Sequence, residues 1–444
     1  MKKRLIALML LSGMLITGCQ SKGNEGVSSS SVDVSGEYTI YVEGEDWGCG
    51  VNKIVISLDK EIDNVSKDTF KVEETKQNFD WTKPEEGLSE VKSERTIEDS
   101  YLSDKDGNKV DGKSKYITIE MAFTPEEGSY LLLTPDSPCS QYPKVYELAV
   151  SLNENQTLKS DGKDVGEFKV NTISKNRVTS ADEFKIDSYK ATDGTNYNYA
   201  YYNPEEETDT LVVWLHGLCE GGVENTDPYV ACLGNKVPNL IDNEFQEVMN
   251  NANVLVPQCP TFWMDNTGEG KLVDGAIITD GTSLYTESLH DLINYYKEKT
   301  NSKKVVVAGC SNGGYMSMLL ALEYGNEYDA YVLICEAMED QYISDEKIEK
   351  IKDVPLYFIY SNDDPTVTPE IYEIPTIKRL KEANASNLHV ATFDSVVDTT
   401  GRFTDKDGNP HNFGGHSSWI YFFNNEVHCD ECNIGAWEWM ANIK

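Results

Sequence analysis

Two folded domains are expected from this chain: an all-β sandwich, then a doubly wound α/β domain built on a mostly parallel sheet. Three observations lead there. The 444 residues exceed the roughly 100–200 of an ordinary single domain. Residues 36 to about 175 carry short alternating runs broken by turn signals, the pattern of a sandwich. From residue 176 to 444, solid apolar strands alternate with amphipathic helices, the pattern of a parallel sheet covered on both faces.

The N-terminus reads as an export signal. Met1-Lys2-Lys3-Arg4 is a charged start, and Leu5 to Ile16 is an apolar run well short of the ~20 residues that span a bilayer. Ile16-Thr17-Gly18-Cys19 follows. It resembles the lipobox of bacterial lipoproteins, which implies cleavage of residues 1–18, diacylation of Cys19 and anchoring on the outer face of the cell membrane. Residues 19–35 are polar and Ser-rich, as in a flexible tether.

The net charge is -36, and removal of Lys2, Lys3 and Arg4 makes it more negative still. Such a charge disfavours nucleic acid and anionic membrane surfaces as partners. The lipid anchor is the expected membrane contact. Oligomeric state is not legible.

The sandwich strands are read from EYTIYVEG, NKIVISLD, DTFKVEET, KYITIEMAF, GSYLLLTP, KVYELAVSL and GEFKVNT. Asp104–Asn108, DKDGN, has a calcium-loop flavour but no downstream acidic ligand at the right distance, so a hairpin turn is expected.

Ten cysteines, less Cys19, leave nine, and an odd number cannot pair completely within one chain. Cys310 and Cys335 lie in apolar runs and read as buried thiols. Cys49 and Cys139 are candidates for a bridge. Cys429-Asp430-Glu431-Cys432 suits a disulfide, a redox pair or half a metal site. With no second C-x-x-C, a structural zinc is not expected, and the serine chemistry described below calls for no cofactor.

The α/β half holds the chemistry. Gly309-Cys310-Ser311-Asn312-Gly313-Gly314 follows the strand Val305–Ala308 and opens a helical run. A G-x-S-x-G between strand and helix is the context of a nucleophile elbow, where only small residues fit beside the serine. Ser311 is therefore the expected nucleophile. It needs a base, and the base an orienting acid, in the order Ser, acid, His. Of His389, His411, His416 and His428, His416 stands best, in a Gly-rich loop before SSW. His411 shares that loop and is the second choice. The acid comes from Asn362-Asp363-Asp364-Pro365-Thr366-Val367. Both aspartates are candidates, and the D-x-x-V spacing favours Asp364.

An oxyanion needs preorganised N–H groups. Asn312 is one expected donor. The loop after TLVVWL supplies the other, Leu218 ahead of Cys219, and His216 reads as a structural residue beneath that loop. Trp263 and Trp419 flank the expected cleft loops and are candidates for stacking on substrate, or else for packing in the core.

The set LVVWLHG, VLVPQCP with Trp263, AGCSNGGY, SNDDPTV and GGHSSWIY resembles the α/β-hydrolases related to esterase D, polyhydroxybutyrate depolymerases and feruloyl esterases, some of whose relatives are described as predicted peptidases. The segment YTIYVEGEDWGCGVNKIVISLDK resembles the Ig-like domain that precedes the catalytic domain of two-domain esterases. The resemblance implies a Ser-His-Asp carboxylic-ester hydrolase acting on small-molecule or plant-polymer esters through an acyl-enzyme. A prolyl-oligopeptidase-type peptidase is the enzymatic alternative, and a non-catalytic surface-binding lipoprotein the other. Leu218-Cys219-Glu220 and Cys310 depart from the usual small residues of the oxyanion loop and the usual neighbour of the nucleophile. Neither departure removes a backbone N–H.

Overall fold

The computed structural model describes residues 31–134, 137–222, 227–272 and 277–443. The leader, Cys19 and most of the tether lie outside the described residues. No helix among the described residues is long and apolar enough to cross a membrane.

The N-terminal domain is built around the strand Val32–Glu45, which pairs antiparallel with Gly48–Ile62. Lys163–Val170 and Asn176–Thr179 run parallel to it on its other side. Ser114–Met121 and Ile97–Ser103 continue the sheet beyond Gly48–Ile62. A second sheet sets Phe70–Phe79 between Leu88–Arg95 and Tyr146–Leu152. Alternate residues of each strand face inward, as the two-residue period requires. Ile40, Ile54, Ile56, Ile117 and Ile119 meet Phe70, Val72 and Leu148 in one buried core.

Arg95 joins the two sheets. Its side chain is fully buried and reaches Glu74 and Glu127, and it donates to the carbonyls of Val51 and Ala122 at 2.8 and 2.7 Å. A buried guanidinium is tolerable only when its donors are matched in this way. Leu88–Arg95, exposed save for that arginine, escaped the sequence reading because no apolar face marks it. DKDGN is the expected turn: the Asp104 carboxylate accepts from the N–H groups of Asp106 and Asn108, each at 2.9 Å. The bridge considered between Cys49 and Cys139 is not formed; Cys139 instead donates to the Thr261 carbonyl of the second domain, 3.5 Å away.

The sheet of the second domain has eight strands: β1 (Lys185–Lys190), β2 (Asn196–Tyr202), β3 (Thr210–Leu215), β4 (Asn253–Gln258), β5 (Lys304–Cys310), β6 (Ala330–Ile334), β7 (Leu356–Ser361) and β8 (Leu388–Phe393). Their spatial order is β1-β2-β4-β3-β5-β6-β7-β8. β2 is antiparallel to both neighbours, and β3 to β8 are all parallel. The half-exposed opening pair β1 and β2 was not read from sequence, because its alternation lacks the solid apolar run that marks β3 to β7. Those five strands are buried almost throughout. Helices Thr286–Thr300, Asn312–Tyr324, Asp345–Ile351 and Glu373–Glu382 cover one core, and Trp419–Phe423 and Ala436–Asn442 pack on the other.

Candidate active site

Ser311 sits between β5 and the helix Asn312–Tyr324 with φ 54° and ψ −114°. A non-glycine residue there is strained and holds only where its surroundings force it. Three glycines explain how. A Cβ at Gly313 would lie 1.9 Å from the Leu215 carbonyl oxygen, at Gly309 2.5 Å from the Gly313 oxygen, and at Gly314 2.8 Å from the Glu336 Cα. The helix can therefore press onto β3 and β6 only if all three positions lack a side chain. The Ser311 N–H donates to Ile334 on the neighbouring strand at 2.9 Å.

His416 and Asp364 complete the constellation. Ser311 Oγ lies 3.0 Å from His416 Nε2, and His416 Nδ1 lies 2.8 Å from Asp364 Oδ2. The other oxygen of Asp364 accepts the N–H groups of Thr366 and Val367 at 2.8 and 2.9 Å. This fixes the carboxylate and leaves Oδ2 for the imidazole. Asp363 is the loop partner: it accepts from the Ser361 hydroxyl at 2.6 Å.

The His416 loop is held from both sides. Upstream, a Cβ at Gly415 would lie 2.2 Å from Asp363 Oδ1 and 2.6 Å from the Asp364 nitrogen, so glycine permits the close approach. Downstream, Phe422 stacks on Trp214 of β3 and Phe423 packs against it at a tilt, with centroids 5.8 and 4.7 Å away. The edge of Trp419 meets His416 at 5.5 Å, and its indole N–H donates to the Asp46 carbonyl of the first domain at 3.1 Å. Trp47, beside it, packs on Phe403 and Phe413. Lys236 pairs with Glu45 and Asp46, and Arg402 with Glu45. The N-terminal domain thus buttresses the histidine loop. No linear signal marks these contacts, since each joins residues hundreds of positions apart.

The expected oxyanion donors lie at the ends of adjacent strands. Asn312 is the first residue of its helix, so its N–H has no acceptor within it. Leu218 opens the short turn Leu218–Glu220 after β3. His216 underlies that turn. It is fully buried, its Nδ1 donates to the Gly217 carbonyl at 2.7 Å, and its Nε2 accepts the Cys259 N–H at 3.0 Å. Burial pushes its pKa down to about 4, so the ring is neutral and structural. Glu220, also buried, is pushed up to about 7 by desolvation, against N–H groups of its own residue and Gly217.

Of the remaining expected positions, Trp263 and His411 stand outside the relay, and Trp419 borders it edge-on against His416. Trp263 is fully buried and offers no face to a substrate. It packs on His216 and Tyr285, and its backbone N–H donates to Asn312 Oδ1 at 2.6 Å. Its place is beneath the elbow. Trp419 is half-buried and engaged with the first domain. His411 lies 3.8 Å from Glu126 and against Phe413, not beside Ser311. Cys310 and Cys335 are both buried, which raises their thiols well above the ordinary range. Neither competes as a thiolate with Ser311.

Comparison with known proteins bears on the fold. Residues 37–197 match the family model of the esterase Ig-like N-terminal domain. No curated protein matches. A solved structure described as a thermostable esterase superposes with a TM-score of 0.65 at 22% identity, covering 88% of this chain and 96% of that one. A highly thermostable carboxyl esterase from Bacillus coagulans, in complex with glycerol, gives a TM-score of only 0.34 at 13% identity, over 47% of this chain and 89% of its own. The first likeness spans both domains; the second is too weak to carry an argument. The chain therefore joins an N-terminal domain of the esterase Ig-like type to a domain of the α/β-hydrolase fold.

Proposed function

We propose that this chain is an exported, lipid-anchored carboxylic-ester hydrolase working through an acyl-enzyme on Ser311. The observation that carries the reading is the unbroken relay Asp364–His416–Ser311, with both hydrogen bonds at 3.0 Å or less. His416 Nε2 takes the Ser311 proton as Oγ attacks the ester carbonyl. Asp364 fixes the tautomer that leaves Nε2 free to accept, and it stabilises the imidazolium. The N–H groups of Asn312 and Leu218 receive the developing oxyanion. The alcohol departs with the proton from His416, and water repeats the cycle on the acyl group. Cys19 anchors the enzyme to the membrane, and small-molecule or plant-polymer esters outside the cell are its substrates. The esterase Ig-like match and the thermostable esterase of like fold support an ester over an amide.

The test is turnover of p-nitrophenyl acetate, butyrate and octanoate, with aminoacyl-p-nitroanilides in parallel. Ester hydrolysis should fall about 10⁴-fold or more in Ser311→Ala. Anilide cleavage without ester turnover moves the reading to a peptidase, and silence on both sets moves it to a binding lipoprotein. Loss of the protein from the membrane fraction in Cys19→Ala tests the anchor.

A further inference from the structure

At the far edge of the hydrolase sheet, away from the triad, three soft ligand atoms converge. Cys429 and Cys432 stand on the turn that precedes the C-terminal helix Ala436–Asn442, and His389 stands on the outermost strand, β8. The two sulfurs and one imidazole nitrogen all lie within 4.8 Å of one another. The missing partner of the C-x-x-C pair is thus a histidine some forty residues upstream, which only the fold brings into place.

The histidine is oriented for metal binding. Trp439 Nε1, a donor only, reaches Asn387 Oδ1 at 3.2 Å, which identifies that atom as the oxygen. His389 Nε2 must then donate to the same oxygen, 3.0 Å away. The lone pair therefore sits on Nδ1, which lies 3.4 Å from Cys432 Sγ. A ligating histidine whose other ring nitrogen donates to a fixed acceptor is the usual outer arrangement of a metal site. Tyr357 and Trp439 hold the ring at centroid distances of 5.6 and 5.7 Å.

The turn is equally fixed. The Asp430 N–H donates to the Val390 carbonyl at 2.8 Å, and its carboxylate accepts from the Thr392 hydroxyl at 2.7 Å. The Asn433 N–H closes back on the Cys429 carbonyl at 2.8 Å. Glu431 pairs with Lys381 at 2.8 Å. With both carboxylates engaged, the donor set is two sulfurs and a nitrogen. Such a set selects zinc over calcium or magnesium, which take oxygen.

We propose that Cys429, Cys432 and His389 form a zinc site that clips the C-terminal segment to the edge strand of the sheet, with water in the fourth position. Binding displaces the two thiol protons, so two thiolates and a neutral imidazole face the dication. Its place on the edge strand β8, three strands from the β5 that carries Ser311, makes the role structural.

The test uses the full chain, reduced and stripped of metal by a chelator, and titrated with Co²⁺ and then Zn²⁺. One equivalent of Co²⁺ should give a sulfur-to-cobalt charge-transfer band that Zn²⁺ bleaches. Zn²⁺ should also raise Tm by about 2–4 °C or more. The band should vanish in Cys432→Ser, whose side chain is exposed, and weaken in His389→Ala. Protection of Cys429 and Cys432 from alkylation by Zn²⁺ reads the same site without any variant. A spectrum free of sulfur ligation, alkylation rates indifferent to Zn²⁺, or a Cys429–Cys432 disulfide in the exported protein overturns the proposal.

Discussion

Gly415→Ala tests whether the contact between the histidine and aspartate loops sets the rate. An added Cβ would lie 2.6 Å from the Asp364 nitrogen and from the Asp363 carbonyl carbon. Ordinary contact begins at 3.4 Å, so the loops must part by the difference, about 0.8 Å. Asp363 Oδ1, nearest at 2.2 Å, can swing aside, but the peptide joining Asp363 to Asp364 is backbone and cannot rotate away. Carried into the 2.8 Å bond between His416 and Asp364, that shift gives about 3.6 Å, beyond hydrogen-bonding distance. His416 then loses the partner that holds its tautomer. A misplacement near 1 Å costs about 100-fold in rate, and complete loss of the acid's role about 10⁴-fold. Gly415→Ala should therefore lower kcat on a p-nitrophenyl ester by at least about 100-fold, with a much smaller change in KM and a far-UV spectrum unchanged from the parent. A folded Gly415→Ala enzyme with kcat within threefold of the parent would refute the reasoning, because the aspartate would then not be orienting the histidine through this contact.

Trp263→Ala should cost about 3–5 kcal/mol in urea unfolding, as for other fully buried aromatics; a rise in KM with stability intact would instead restore Trp263 to the substrate cleft. Glu336 is buried, accepts the Met338 N–H at 2.8 Å, and is pushed up to about 8 by desolvation, against that N–H and reinforced by Asp340. A raised carboxyl binds its proton more tightly in the fold, so its contribution is full below the unfolded value of 4.5 and is lost as pH rises toward 8. Unfolding free energy should fall across that window by up to about 1.4 kcal/mol per pH unit, and Glu336→Gln should flatten the slope; an unchanged slope places the titration elsewhere, with buried Glu373 the next group to test.

Much of the architecture was legible because its signals are local. The solid apolar runs of β3 to β7 mark strands buried on both faces, and their alternation with amphipathic helices leaves few arrangements but a parallel sheet. Strands without an apolar face, such as Leu88–Arg95 and Lys185–Lys190, gave no such signal. The elbow around Ser311 was legible for the same local reason: glycines on both sides of a serine between strand and helix report a turn that admits no Cβ. Trp263 shows the converse. An aromatic in a loop looks the same in sequence whether it faces a cleft or lies beneath one, and burial alone separates the two.

By itself, then, the sequence determined the two kinds of domain, the elbow, and the short sets of residues from which an acid and a base would come. Periodicity and glycine spacing act over a few residues, and they are written in the chain. The tertiary structure decided which members of those sets meet. It chose Asp364 over Asp363 by where one carboxylate oxygen points. It set His416, rather than His411, beside Ser311 by the packing of the following helix on Trp214. It brought His389 to Cys429 and Cys432, and it braced the histidine loop with Asp46 and Trp47. These pairings depend on loop closures across tens to hundreds of residues, whose geometry is fixed only when the whole core is packed.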